Sequence, residues 1–223
     1  MNPKIGQFKR IKRRISGVLL LDKPSRISSN QALQIAKRIF AAGKAGHTGT
    51  LDPLATGLLP ICFGEATKFS SALLGADKTY EATLRLGYIS TTGDAEGEIS
   101  AVGDVQSQDL RLTLTQVETV LKNFTGGITQ IPPMYSALKH RGKPLYAYAR
   151  EGVEIERQPR EVIIHDLRME ALAGAEMRIV VKCSTGTYVR TLAEDIGKAL
   201  GCGGAYLTAL RRSILDNFDL LQA

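Results

Sequence analysis

Short apolar runs separated by polar punctuation occupy most of this chain, and their period switches between strand-like and helical. Val18 to Leu21, within residues 17–21, is a continuous apolar run of the kind that forms a buried strand. Ser28 and Ser29 are N-cap candidates for a helix with apolar positions 32, 35, 36 and 39, ended by Gly43. Gly57 to Phe63 reads as a second buried strand, and Glu65 to Leu74 as a short helix. Thr79 to Leu86 alternates as a half-buried strand does, and Ile89 to Gly97 reads as a loop with Gly93, Asp94 and Gly97 as turn formers. Thr115 can cap a helix whose apolar positions 117, 120, 121 and 124 share one face. Three β-type segments follow, Val162 to Met169, Met177 to Ser184 and a shorter one near Tyr206 to Arg212. A helix from Thr191 to Leu200 separates the last two, and glycines at 201, 203 and 204 end it. Strands far apart in sequence with helices inserted between them imply an α+β fold with a mixed sheet.

Residues 126–152 break this rhythm. They open on Gly-Gly, contain Pro132, Pro133 and Pro144, and lie in a stretch without acids from Phe124 to Arg150. Lys139, Arg141, Lys143 and Arg150 interleave with Tyr135, Tyr146 and Tyr148. Cations suit phosphates and rings suit bases, so the segment fits an RNA surface. A solvated surface loop with one amphipathic turn explains the same pattern.

Composition narrows the class. A chain of 223 residues is one large domain or two small ones and can bury a core without disulfides. No apolar run approaches the ~18 residues that span a bilayer, and the apolar run near the N-terminus is too short for a secretory signal, which points to the cytoplasm. The formal net charge of +7 is concentrated at one end. Residues 1–14 hold Lys4, Lys9, Arg10, Lys12, Arg13 and Arg14 and no acid; the rest carries 23 basic against 22 acidic residues. Residues 1–15 therefore read as a basic, poorly ordered arm on a nearly neutral body. Cys62, Cys183 and Cys202 are scattered, as are the three histidines, so no metal-ligand spacing or redox pair is present. Phosphate-binding and dinucleotide-binding glycine patterns, the two-histidine zinc helix and the serine nucleophile elbow are absent too. The expectation is an activity with no metal and no cofactor.

The densest chemistry lies in Gly46-His47-Thr48-Gly49-Thr50-Leu51-Asp52-Pro53-Leu54-Ala55-Thr56-Gly57. Asp52 is the single acid between residues 31 and 64, on a loop stiffened by Pro53. A carboxylate presented this way can be a nucleophile, a helix cap or a turn former.

This segment, through Lys68, resembles the catalytic motif of the TruB-type tRNA pseudouridine-55 synthases. Four more stretches match in the same order: Gly17-Val18-Leu19-Leu20-Leu21-Asp22-Lys23-Pro24, Lys78-Thr79-Tyr80-Glu81-Ala82, the run Ile131 to Lys139, and Gly186-Thr187-Tyr188-Val189-Arg190-Thr191. Leu210-Arg211-Arg212 closes the series. The resemblance implies a pseudouridine synthase fold over residues 16–223: a mixed, mainly antiparallel sheet flanked by helices, with 126–152 as a thumb-like RNA-binding insertion. It implies that uridine 55 in the T-loop of tRNA is isomerised, with the uracil detached at N1 and rejoined at C5.

By the same resemblance, Asp52 is the catalytic carboxylate, attacking C1′ or taking the 2′ proton. Arg190 pairs with it, and a neighbouring cation lowers an Asp pKa by roughly 1–3 units. Placed in a strand, Tyr188 and Arg190 project to one face and line the pocket together; a surface position at a helix start is the alternative for Arg190. Tyr80 stacks on the flipped base, recovering part of the few kcal/mol that flipping costs, and assists removal of the C5 proton. His47 fills the gap left in the RNA loop, with a general-base role as the alternative. Tyr188 and Leu210 contact the base, Lys139, Arg141 and Lys143 touch RNA, and Lys23 and Pro24 support the site from below. The expected partner is the T-arm of tRNA, bound by a monomer with no obligate protein partner.

Two features depart from the family pattern. Asn217 stands where a glycine is usual, and the sequence stops at Ala223, where typical bacterial members continue into a small RNA-binding PUA domain. The expected domain set is therefore the arm and the catalytic domain without PUA. A tRNA folding chaperone and the catalytic subunit of an RNA-guided pseudouridylation complex are the alternative functions.

Overall fold

Ser28 accepts a hydrogen bond from the Gln31 amide while the Gln31 side chain accepts one from the Ser28 amide, and this reciprocal cap starts helix α1, Ser29–Ile39. The computed structural model describes residues 12–102 and 112–223. Strand β1, Gly17–Lys23, precedes α1; β2, Ala45–His47, and β3, Thr56–Phe63, follow it on either side of the Asp52 loop. A turn of tight helix, Gly64–Phe69, runs into α2, Ser70–Gly75, and then β4, Lys78–Leu86. The short pair β5, Tyr88–Ser90, and β6, Ile99–Ala101, leads to α3, Leu114–Asn123, and β7, Gly126–Gln130. The hairpin strands β8, Lys139–His140, and β9, Lys143–Pro144, are followed by α4, Leu145–Arg150. The last elements are β10, Arg160–Ala173, β11, Glu176–Cys183, α5, Val189–Ala199, β12, Ala205–Leu215, and β13, Phe218–Asp219.

Nine of these strands form one sheet in the order β1-β3-β12-β4-β11-β10-β7, with β2 beside β3 and β13 beside β12. The pairs are antiparallel except β3 with β12, which meet in parallel only at Thr56↔Arg211 and Gly57↔Arg212. Along β4 the residues Tyr80, Ala82, Leu84 and Leu86 are buried, while Glu81, Thr83 and Arg85 face the other way. Leu192 and Ile196 of α5 and Val117 and Leu121 of α3 pack on the apolar face with Met177, Ile179 and Leu207. A second cluster joins Leu33 and Ala36 of α1 to Ile61 and Phe63. The α+β expectation with a mainly antiparallel sheet holds.

Several local expectations change. β1 is an edge strand with Val18 45% exposed, because only one flank of it is paired. The cap of α3 is Thr113, not Thr115, since the Gln116 side chain three residues on completes a reciprocal pair with it. Ile89–Gly97 is not all loop: β5 and β6 pair across it. Gly126–Gln130 belongs to the main sheet through β10, so the insertion proper begins after Gln130. Tyr188 and Arg190 do not lie in a strand; Tyr188 is the N-cap of α5 and Arg190 its second residue. Of the basic arm, residues 1–11 lie outside the described residues, while Arg13 bridges Ala42 and Ile15 packs against the second cluster.

Candidate active site

The loop that carries Asp52 is pinned through backbone groups of Gly49, Leu51, Asp52 and Pro53. The Ser29 hydroxyl donates to the Leu51 carbonyl at 2.8 Å and accepts from its amide at 2.8 Å, tying the start of α1 to the residue before Asp52. The Asp52 carbonyl accepts from the Ala55 amide at 3.1 Å, and the Pro53 carbonyl from the Arg26 amide at 2.8 Å. Lys23 is wholly buried beneath, its Nζ donating to the carbonyls of Pro24 at 2.9 Å, Ile27 at 2.8 Å and Pro53 at 3.4 Å. From β12 the equally buried Arg212 donates to the carbonyls of Leu58 at 2.8 Å and Gly49 at 3.2 Å. A side chain at Gly57 is excluded, because a Cβ there would stand 2.3 Å from the Arg212 carbonyl oxygen.

Arg190 enters from the start of α5. Its Nε lies 3.1 Å from Asp52 Oδ2 and 3.9 Å from Asp94 Oδ2. Its terminal nitrogens donate to the carbonyls of Thr92 at 2.6 Å and Tyr135 at 2.7 Å. One guanidinium thus joins the Asp52 loop, the β5–β6 turn and the insertion. Asp94 is itself buried and accepts from Thr92 Oγ1 at 2.6 Å and the Glu96 amide at 3.0 Å.

Burial raises the Asp52 pKa; Arg190 and Lys23 oppose that and Asp94 adds to it. The ion pair therefore offsets the cost of burial without reversing it, contrary to the expectation of a lowered value. The side chain keeps 38% of its surface exposed, so water limits how far the shift goes. Burial also raises the Tyr80 pKa, with Arg212 acting against it across the β4–β12 pair. His47 is shifted down by burial and then by Arg212, and its Nδ1 is buried without a hydrogen-bond partner. Both influences favour the neutral imidazole.

Two cavities lie near the site, and of the pair only Arg190 lines one of them, the second. One of about 680 Å³ is lined by Leu54, Thr56, Ala82, Glu96, Leu210 and Arg211. The other, of about 470 Å³, is lined by Thr92, Pro132, Tyr135 and Arg190 among others. Of the residues singled out in sequence, Asp52 and Arg190 are in contact, Tyr188 caps the helix that carries Arg190, and Leu210 borders the first cavity. Tyr80 and Leu210 lie in neighbouring strands on the side where Arg212 reaches the loop. Lys139, Arg141 and Lys143 lie apart, on the β8–β9 hairpin; Lys143 pairs with Glu151 and lies 4.5 Å from the Tyr148 ring centroid. In the sequence Asp94 reads only as a turn former and Ser29 only as a helix-cap candidate, and neither they nor Arg212 are assigned to the site. Arg212 closes the last matching motif, and that is the one signal it carries.

The TruB family pseudouridylate synthase N-terminal domain matches residues 37–189, which takes in Asp52, Tyr80, Asp94 and Tyr188. The chain belongs to this family. Among its curated relatives, tRNA pseudouridine synthase B of Nitrosospira multiformis is 75% identical over 212 residues, covering 95% of this chain and 68% of that protein. The Methylobacillus flagellatus protein of the same name is 60% identical, covering 97% of this chain and 70% of its own length. The chain thus spans about two thirds of these TruB relatives. The solved Cbf5–Nop10–Gar1 complex contains a chain that superposes with a TM-score of 0.70 at 30% identity, over 92% of this chain and 50% of that one. An H/ACA RNP bound to a substrate RNA containing 2′-deoxyuridine matches with a TM-score of 0.66 at 28% identity, over 91% of this chain and 48% of that one.

Proposed function

We propose that this TruB-family chain isomerises uridine 55 in the T-loop of tRNA to pseudouridine, with Asp52 as the catalytic carboxylate. The observation that carries this reading is the 3.1 Å pair of Asp52 with a buried Arg190, set in the family's own motif, with Arg190 also lining a cavity of about 470 Å³. The target nucleotide leaves its stack and enters the cleft, where Tyr80 stacks on the base and Leu210 packs beside it. Uracil leaves C1′ with its electron pair delocalised over its oxygens, so no general acid is required. Asp52 either bonds to C1′ or removes the 2′ proton. The base turns and C5 bonds to C1′ as the Asp52–C1′ bond breaks or, on the other route, as the proton returns to C2′; the C5 proton then leaves and N1 takes up a proton. Atoms and electrons balance without metal or cofactor. His47, neutral and half-buried, fits occupancy of the gap in the RNA loop, and Lys139, Arg141 and Lys143 fit phosphate contacts.

The catalytic domain is residues 16–223, with the RNA-gripping insertion after Gln130. It acts as a cytoplasmic monomer without an obligate protein partner; no helix among the described residues is long and apolar enough to cross a membrane. A guide-dependent reading is favoured by the likeness to the Cbf5–Nop10–Gar1 complex. The 75% identity to a tRNA pseudouridine synthase B supports the stand-alone reading. The test is to incubate purified chain with unmodified tRNA alone and map pseudouridine. Stoichiometric product at position 55 is expected; no product without added protein or guide RNA overturns the proposal.

A further inference from the structure

Gln130 ends β7 and is 1% exposed. Both ends of its amide serve one residue. The Tyr188 amide donates to Gln130 Oε1 at 3.0 Å, and Gln130 Nε2 donates to the Tyr188 carbonyl at 3.2 Å. That carbonyl already accepts the first helical bond, from the Leu192 amide at 3.0 Å. The second bond therefore adds orientation rather than rescuing an unpaired group. The Tyr188 side chain supplies no cap to α5, so the contact from β7 is what fixes the entry of this helix.

Two segments leave this junction, and both end on the same guanidinium. Along one, Tyr188 leads to Arg190 in the first turn of α5. Along the other, Gln130 leads to Tyr135, whose carbonyl accepts from Arg190 at 2.7 Å. We infer that Gln130 is a positioning residue for catalysis: its amide locks the start of α5 to the end of β7 and so holds Arg190 against Asp52. The inference rests on the roles proposed above for Asp52 and Arg190. A packing role alone would be met by an apolar side chain of similar length, whereas holding the guanidinium requires the directional pair of bonds.

The consequence is a shift in pH dependence. Asp52 is faced by Arg190 of α5, Asp94 and Glu96 of the β5–β6 turn, Lys23 of β1, Tyr80 of β4 and Tyr188 before α5. Among these, Arg190 is the largest influence favouring the ionised form. If Arg190 drifts, the carboxylate protonates at higher pH, and the acid limb of the rate profile moves up with it.

The experiment measures single-turnover rates on saturating tRNA from pH 5.5 to 9 for wild type, Q130M and Q130E, with tRNA affinity and thermal melting alongside. Expected for Q130M is a loss of about 10- to 100-fold at pH 7, affinity within twofold, and a deficit that shrinks as pH rises. Q130E retains the acceptor for the Tyr188 amide and should lose less where it folds. Wild-type inactivity on tRNA would instead overturn the proposed function. An active wild type with an unmoved acid limb in the variants overturns the role of Gln130. Failure of both variants to fold assigns Gln130 to the fold alone and overturns it as well.

Discussion

Lys23, Arg190 and Arg212 surround the Asp52 loop, while Lys139 and Arg141 stand exposed on the β8–β9 hairpin. The residue types are the same and their environments are opposite. Each cation of the first group is buried and donates to backbone carbonyls drawn from distant parts of the chain. Such a cation cannot leave to meet an RNA phosphate without abandoning buried acceptors. Arg190 and Lys23 favour the ionised carboxylate by their field, and Arg212 holds the loop by its bonds. The hairpin cations keep their hydration and their freedom, and they suit the salt-dependent grip on a polyanion. Net charge alone does not separate these two groups.

The sharpest way to break the contrast is to remove the carboxylate that the buried cations serve. Asp52→Asn should lower single-turnover chemistry by on the order of 10⁴-fold or more, with tRNA affinity nearly unchanged. Turnover within tenfold of wild type would remove Asp52 from the mechanism. Because its pKa is raised on folding, ionised Asp52 costs stability above that pKa. The Asn variant should therefore melt higher than wild type at pH 7, and that gain should fade as pH falls through the Asp52 titration.

Arg190→Ala should cost about 10²- to 10³-fold at pH 7. Its rate should recover partly as pH rises, because Asp52 without its cation ionises only at higher pH. A pH-independent deficit would mean that Arg190 acts through geometry alone. Lys23→Met should leave the carbonyls of Pro24, Ile27 and Pro53 without their donor and lower stability by about 1–3 kcal/mol, read from denaturant melts. The smallest effect on chemistry belongs to the hairpin. A triple change of Lys139, Arg141 and Lys143 to Ala should weaken tRNA binding and flatten the log–log salt slope by about 0.7–0.9 for each phosphate no longer neutralised. The saturated rate should stay within twofold; a collapse would place the hairpin cations with the buried group.

Legibility in the sequence follows the same division. The lone acid on its proline-stiffened loop, the alternation of β4 and the capping of α1 are local signals, and local signals survive in one dimension. Tyr188-Val189-Arg190 has β-type character and reads as a strand; tertiary contact with Gln130 sets a helix start there instead. Thr113 wins over Thr115 because a reciprocal bond with Gln116 is available. Asp94 reads as a turn former, which it is, since it accepts from the Glu96 amide. Its second role beside Arg190 depends on α5, almost a hundred positions later. Arg212 carries no mark beyond closing the last matching motif. Its acceptors, Leu58 and Gly49, lie more than 150 residues away, and only the fold brings them together.

The place of β12 has a consequence for how the protein is made. β3 and β4 are neighbours in sequence, yet β12 lies between them in the sheet. While the ribosome works through the first two hundred residues, both strands wait with an unpaired flank. Asp52 is synthesised early, but Arg190 and Arg212 emerge late. A nascent chain therefore holds the carboxylate long before it holds the groups that fix it. Insertion of one late strand closes the sheet and completes the site in a single event.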